Sequence, residues 1–186
     1  MDYNETDLIT QAKAFDQSAL ASIYDRYSTA LYQYAYRQLG NQQIAEDCVA
    51  ETFTRFLDAL KKNKGPESHL QAYLYRIAHN WITDQFRRKK PEDNGLDEQI
   101  ELIDSDQIGV EAAVLSRLTA QQLRGLVKQL SPEQRQVIVL KHLEEMSNAE
   151  VAQIMEKNVG SVKALNSRGL VNLRKMIDRK GIQLNV

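Results

Sequence analysis

Between Pro91 and Glu111 the chain carries eight carboxylates and not one lysine or arginine. A stretch that opens with proline, contains two glycines and repels itself electrostatically suits an extended connection better than a packed element. It divides the 186 residues into 1–90 and 112–186, two parts of a size for small domains joined by the acidic linker 91–111. The same cut resolves the charge. The formal net charge of -1 is uninformative as an average, but residues 1–90 hold 12 basic and 11 acidic side chains, 91–111 hold none and eight, and 112–186 hold 12 and six. The C-terminal part is therefore cationic, as a binder of nucleic acid is expected to be.

Only 8 glycines and 3 prolines punctuate a chain rich in alanine, leucine, glutamine, lysine, arginine and glutamate, so the expected class is all-α. Apolar periodicity predicts helices near 6–14, 17–39, 42–62 and 69–88 before the linker, and near 111–129, 132–144, 148–156 and 159–179 after it. Gly40 is a stop and Asn41 a cap, Ser131 caps a helix with Pro132 in its first turn, and Ser68/Gln71 and Ser147/Glu150 have the spacing of capping boxes. Gly65-Pro66 breaks the chain between the third and fourth helices. No apolar stretch approaches the roughly 20 residues that span a bilayer and no signal segment opens the chain, so a soluble cytoplasmic protein without membrane insertion is expected.

The groups that carry enzyme chemistry are thinly spread. Cys48 has no cysteine partner, His69 and His79 lie ten residues apart, and His142 has no neighbouring ligand, so no catalytic group, metal or cofactor is expected. Glu46, Asp47 and Glu51 share the third helix, IAEDCVAETFTRFLDAL, whose Ile44, Cys48, Phe53, Phe56, Leu57 and Leu60 are expected inside. The carboxylates are either a solvated face or a docking surface for a basic partner.

Two segments suit nucleic acid. A short helix, a turn at Lys157-Asn158 and a longer helix have the organisation of a helix-turn-helix, with Ala149, Val151, Ala152 and Ile154 seating the first helix and Val159 anchoring the turn. In the longer helix Val162, Leu165, Gly169, Leu173 and Met176 form the expected core stripe. Lys163, Ala164, Ser167, Arg168, Arg174 and Lys175 lie opposite, mixing cations for phosphates with short side chains that allow approach to base edges. Lys163 and Arg168 are the candidates for base readout. In the fourth helix Leu70, Leu74, Ile77 and Trp81 define the expected core stripe, while Tyr73, Arg76, Asn80, Asp84 and Arg87 form a ridge that runs into Arg88. An aromatic ring, an amide and cations are what single-stranded recognition uses. Tyr73 is equally readable as a core-edge tyrosine.

The segments AEDCVAETF, YLYRIAHNWITDQFRRKK and LSPEQRQVIVLKHLEEMSNAEVAQIMEKNVGSVKALNSRGLVNLRK together resemble sigma factors of the extracytoplasmic-function group of the sigma-70 family, over nearly the whole chain. The resemblance implies a non-enzymatic initiation factor that binds core RNA polymerase at the largest-subunit clamp and the flap, binds promoter DNA, and has an anti-sigma partner. It implies polymerase docking for Ala45, Glu46, Asp47, Glu51, Thr52 and Phe53, minus-ten recognition and melting for Tyr73, Arg76, Asn80, Asp84, Arg87 and Arg88, and base capture for the loop with Lys61, Lys62, Asn63, Lys64 and Gly65. The minus-thirty-five element falls to Lys163, Ala164, Ser167, Arg168, Arg174 and Lys175. Ala50 stands where the family usually has glutamine, Tyr73 where it has tryptophan, and Gly169 where alanine is common. The competing expectation is a two-domain regulator whose N-terminal helices dimerise or sense a ligand and whose helix-turn-helix binds a palindrome as a homodimer.

Overall fold

The computed structural model describes residues 4–89 and 120–180, all of them helix, turn or loop without strand. The acidic linker 91–111 and the first part, 111–119, of the helix expected at 111–129 lie outside the described residues. The described chain gathers into two compact units.

The first unit is built from α1 (Glu5–Lys13), α2 (Gln17–Leu39), α3 (Gln42–Lys61) and α4 (Leu70–Lys89). Local chemistry sets most of its boundaries. The Asp16 carboxylate starts α2 by accepting from Ala19 N at 2.9 Å, and Gly40 ends it in the left-handed region at φ 69°. Asn41 then caps α3 by accepting from Ile44 N at 2.9 Å. The end of α3 comes earlier than the Gly65-Pro66 break. Asn63 adopts φ 52°, with Asn63 N bonded to Leu60 O and Lys64 N to Ala59 O, the two bonds that close a helix on a left-handed residue. Asparagine tolerates that conformation better than most residues.

Leu8, Ile23, Leu31, Tyr34, Phe56, Leu60, Leu70, Leu74, Tyr75 and Ile82 are closed to solvent, and each such side chain contributes about 1.5–3 kcal/mol on burial. The α4 stripe is rotated from the expected one. Leu70 and Leu74 are buried as expected, but Ile77 and Trp81 stay partly exposed while Tyr75, Ala78, His79 and Ile82 go inside. Tyr75 packs on Tyr34 with ring centroids 5.3 Å apart, and small Ala78 admits α3 so closely that its carbonyl lies 3.9 Å from Cys48 Sγ. Two tyrosines and an alanine thus override the hydrophobicity of Ile77 and Trp81. In α3 the buried set is Ala45, Cys48, Val49, Thr52, Phe56 and Leu60, with Ile44, Phe53 and Leu57 at the margin. Burial pushes the Cys48 thiol up to about 12, so it packs as a small apolar group.

The second unit contains α5 (Ala120–Val127), α6 (Pro132–Ile138), which continues as a π turn over Val139–Leu143, α7 (Asn148–Ile154) and α8 (Val159–Lys180). Ser131 caps α6 with Pro132 in its first turn. Ser147 and Glu150 exchange bonds, Ser147 N to Glu150 Oε2 at 2.8 Å and Glu150 N to Ser147 Oγ at 3.2 Å, which completes the capping box that the spacing predicts. Arg135 crosses from α6 to the end of α5. Its Nε donates to Val127 O at 3.2 Å, and its Nη2 donates to Lys128 O at 2.6 Å and Leu130 O at 3.2 Å. One guanidinium thus satisfies carbonyls that a helix C-terminus leaves unmatched.

Between α7 and α8, Glu156 takes φ 53° and Lys157 N bonds back to Ala152 O. Asn158 caps α8 by accepting from Ser161 N at 2.7 Å, and Lys157 Nζ pairs with Glu133 Oε1 at 2.9 Å. Val159 is 41% exposed, so the turn is anchored by these polar contacts rather than by that valine. Gly169 has a packing reason: a Cβ there would lie 2.9 Å from Ile138 Cγ1, so the glycine lets α8 close on α6.

Candidate nucleic-acid interface

On α4 the 3.6-residue repeat gathers Tyr73, Arg76, Asn80, Asp84 and Arg87 outside the buried stripe. Arg76, Asn80, Arg87 and Arg88 are exposed, and Asp84 pairs with Arg87 one turn on. Tyr73 combines both of the readings that its sequence position allows. One edge meets Phe56, with centroids 6.3 Å apart at 65°, while the Arg76 guanidinium carbon stands 5.3 Å from the ring centroid. Burial raises the tyrosine hydroxyl's pKa, with Arg76 opposing it, so the phenol remains neutral. The guanidinium stands over one face of the ring, which sets a cation against an aromatic group at the surface of α4.

The start of α4 is not held as expected. His69, at φ 54°, occupies the cap position that the Ser68/Gln71 spacing assigned to Ser68. Leu70 N instead donates to Glu5 Oε1 of α1 at 3.1 Å. The loop before it exposes Lys61, Lys62, Asn63 and Lys64, with Lys61 still within α3 and 3.9 Å from Asp58. Gly65 is confined, since a Cβ there would lie 2.5 Å from Leu60 Cδ2. Lysines therefore ring a loop whose base is locked to α3.

The acidic face of α3 narrows on inspection. Glu46 and Asp47 are exposed, Glu51 is partly exposed and bonded to Arg55 at 2.7 Å, and the Phe53 ring leans on Tyr24 of α2 at 4.8 Å. Ala45 and Thr52 are both 0% exposed, and Thr52 Oγ1 donates to Cys48 O at 2.7 Å. They face the core because Ala45, Cys48 and Thr52 fall at helical spacing on the inward side, so they pack the motif and do not present it. An open groove of about 310 Å³ runs beside Glu46 between α2 and α3, walled by Tyr24, Tyr32 and Val49. The tyrosines went unread in the sequence because they alternate with polar residues on a helix whose other side is apolar.

In the second unit Lys163 and Lys175 are exposed, Ala164 and Arg168 partly so, and Arg168 Nε donates to Ala164 O at 3.3 Å. Arg174 is exposed and pairs with Asp178 at 3.3 Å. Ser167 is only 9% exposed and leaves the expected groove-facing set. The reason is a wider buried sector than the stripe suggests: Asn166, Leu170 and Ile177 are buried with Val162, Leu165, Gly169 and Leu173, whereas Met176 is only partly covered. Asn166 accepts its place inside through a 2.8 Å contact between its Oδ1 and His142 Nε2 on the π turn. Burial lowers the pKa of His142, so the ring is held neutral. Among the described residues no group of three or more His, Cys, Asp or Glu side chains is placed to hold a metal ion, and no helix is long and apolar enough to cross a membrane.

Comparison with known proteins places this geometry. Residues 23–92 match the family model for sigma-70 region 2, which takes in α3, the loop and α4, and residues 120–173 match that for sigma-70 region 4, which takes in the helix-turn-helix. The ECF RNA polymerase sigma factor SigW of Bacillus subtilis is 36% identical over 181 residues, 91% of this chain and 94% of that protein. The ECF sigma factor BldN of Streptomyces coelicolor is 30% identical over 92% of this chain and 65% of its own length. Among solved structures, CnrH in complex with the cytosolic domain of CnrY superposes with a TM-score of 0.70 at 25% identity, covering 94% of this chain and 97% of that one. The chain belongs to the extracytoplasmic-function sigma factors of the sigma-70 family, and directs RNA polymerase to initiate at chosen promoters.

Proposed function

We propose that the two units divide promoter recognition between them. The first docks on core polymerase through Glu46, Asp47, Glu51 and Phe53 and opens the minus-ten region with the α4 ridge. Tyr73 stacks on an unpaired base, Asn80 bonds to a base edge where the duplex parts, and Arg76, Arg87 and Arg88 meet the backbone. The loop carrying Lys61, Lys62, Asn63, Lys64 and Gly65 captures a flipped base, a step that costs a few kcal/mol and is offset by contacts in the pocket. The second unit reads the minus-thirty-five element in the major groove with Lys163 and Arg168, flanked by Ala164, while Arg174 and Lys175 bind phosphates. The observation that carries this reading is the alignment of Tyr73, Arg76, Asn80 and Arg87 along the solvent side of α4, directly after the lysine loop.

On this reading the protein acts in the cytoplasm with RNA polymerase, carries out no reaction of its own, and is controlled by an anti-sigma factor that competes for its docking surfaces. The linker 91–111 threads the basic channel of the polymerase, its eight carboxylates standing in for nucleic acid. Pulldown of core polymerase followed by run-off transcription from genomic promoters tests the assignment. Asn80→Ala is expected to impair opening and Arg168→Ala to impair promoter selection, with holoenzyme assembly intact in both. Unchanged opening and selection in the two variants would defeat the site assignments, and unchanged transcription after neutralising the linker would defeat the threading role.

A further inference from the structure

The N-terminus of α4 is held by a residue far from it in the sequence. Its first turn contains no acidic residue, and its cap position is His69 at φ 54°, not serine, threonine, aspartate or asparagine. The carboxylate comes from 65 residues upstream, where Glu5 Oε1 accepts from Leu70 N at 3.1 Å. Glu5 is itself the first residue of α1. One carboxylate thus lies at the N-termini of two helices, where both sets of unmatched amides and both dipoles favour negative charge. It is partly buried, and α1 is fixed beneath it by Leu8, Ile9 and Ala12, at most 3% exposed. It also lies close enough to Tyr27 of α2 to help raise that phenol's pKa, after the larger effect of burial and against the opposing pull of Arg26.

The point that Glu5 holds is where the two parts of the opening machinery meet. The lysine loop ends at His69, and Tyr73 N bonds to His69 O at 3.0 Å, so the first residue of the ridge is one turn from the last residue of the loop. We infer that Glu5 is a positioning residue for promoter opening: its carboxylate clamps the start of α4 and so sets the geometry between the base-capturing loop and the Tyr73–Arg87 ridge. Without it, the amide of Leu70 turns to water and the first turn of α4 frays, so that loop and ring lose their fixed relation. The inference rests on the reading that α4 opens the minus-ten region.

The test uses the full chain assembled with core polymerase, on a genomic promoter that the wild-type holoenzyme transcribes. Glu5→Ala and Glu5→Gln are compared for holoenzyme assembly, urea unfolding midpoint, closed-complex affinity, and the rate at which thymines become reactive to permanganate. Loss of a helix cap predicts that Glu5→Ala slows isomerisation about three- to tenfold. Assembly and closed-complex affinity stay at wild-type values, and Glu5→Gln, which keeps an acceptor oxygen, recovers most of the rate. Isomerisation of Glu5→Ala at the wild-type rate would overturn the inference. So would a parallel fall in assembly, affinity, rate and unfolding midpoint, which would mark Glu5 as a residue of the fold alone. Failure of the underlying reading has its own signature, since Asn80→Ala would then isomerise normally in the same assay.

Discussion

Replacing Arg135 with alanine removes a side chain that ties α6 to the end of α5. Its guanidinium donates to the carbonyls of Val127, Lys128 and Leu130 at 3.2, 2.6 and 3.2 Å. A hydrogen bond to a charged group contributes about 1.5–3 kcal/mol. The site is half-buried and water reaches the vacated carbonyls, so the three do not add in full, and the expected loss is about 2–3 kcal/mol. Lysine is a poor substitute, because an ammonium cannot span three carbonyls in a fork. Hydrogen exchange read by mass spectrometry over residues 126–143 measures the effect where it arises. Each 1.4 kcal/mol is a factor of ten, so amides that exchange through opening of this corner should exchange roughly thirty- to a hundredfold faster in Arg135→Ala. Arg135→Lys should lie much nearer to Arg135→Ala than to wild type. Protection within threefold of wild type in the alanine variant would refute the reasoning and leave the carbonyls adequately served by solvent.

Two further variants probe the helix-turn-helix. Glu156 is exposed and holds φ 53°, so Glu156→Gly relieves a strained backbone without removing packing and should raise stability by about 0.5–1 kcal/mol in urea unfolding; a loss would show that the glutamate makes a contact of its own. His142 has a folded-state pKa below its ordinary 6.5, because burial disfavours the cation. The unfolded chain therefore binds the proton more readily, and the stability that the neutral ring contributes is present above about pH 6.5 and is lost as pH falls below it. The urea midpoint should fall between pH 7.5 and 5.5, and His142→Gln should flatten that dependence; an equal fall in the variant would assign it to other groups.

What the sequence revealed was whatever chemistry stays within a few residues. Gly40, Asn41, Ser131 and the Ser147–Glu150 box do what their spacing predicts, since a cap and its amide are three residues apart. Glu5 and Leu70 are separated by 65 positions, and no local pattern links them. Likewise, Asn63 and Glu156 close helices in the left-handed region without the glycine that marks such turns. Side-chain faces were misjudged where size outweighed hydrophobicity. Ala78 admits α3, so α4 turns Tyr75 and Ile82 inward and leaves Ile77 and Trp81 at the margin. Ala45 and Thr52, expected among the docking residues, are buried in the same way, and Ser167 is buried beside Asn166 and Leu170. Exposure nevertheless survives at the groups with most chemistry to offer, namely Glu46, Asp47, Arg76, Asn80, Lys163 and Lys175.

On the proposed reading the α4 ridge opens promoter DNA from within a polymerase holoenzyme. Permanganate footprinting of a genomic promoter tests it most directly, with core polymerase alone, with core and the wild-type chain, and with core and the Tyr73→Ala, Asn80→Ala double variant. The account predicts reactive thymines in the minus-ten region only with the wild-type chain, and their loss in a double variant that still assembles with core. Equal reactivity in the double variant, or tight duplex binding by a homodimer of the chain with no opening in the presence of core, would contradict it.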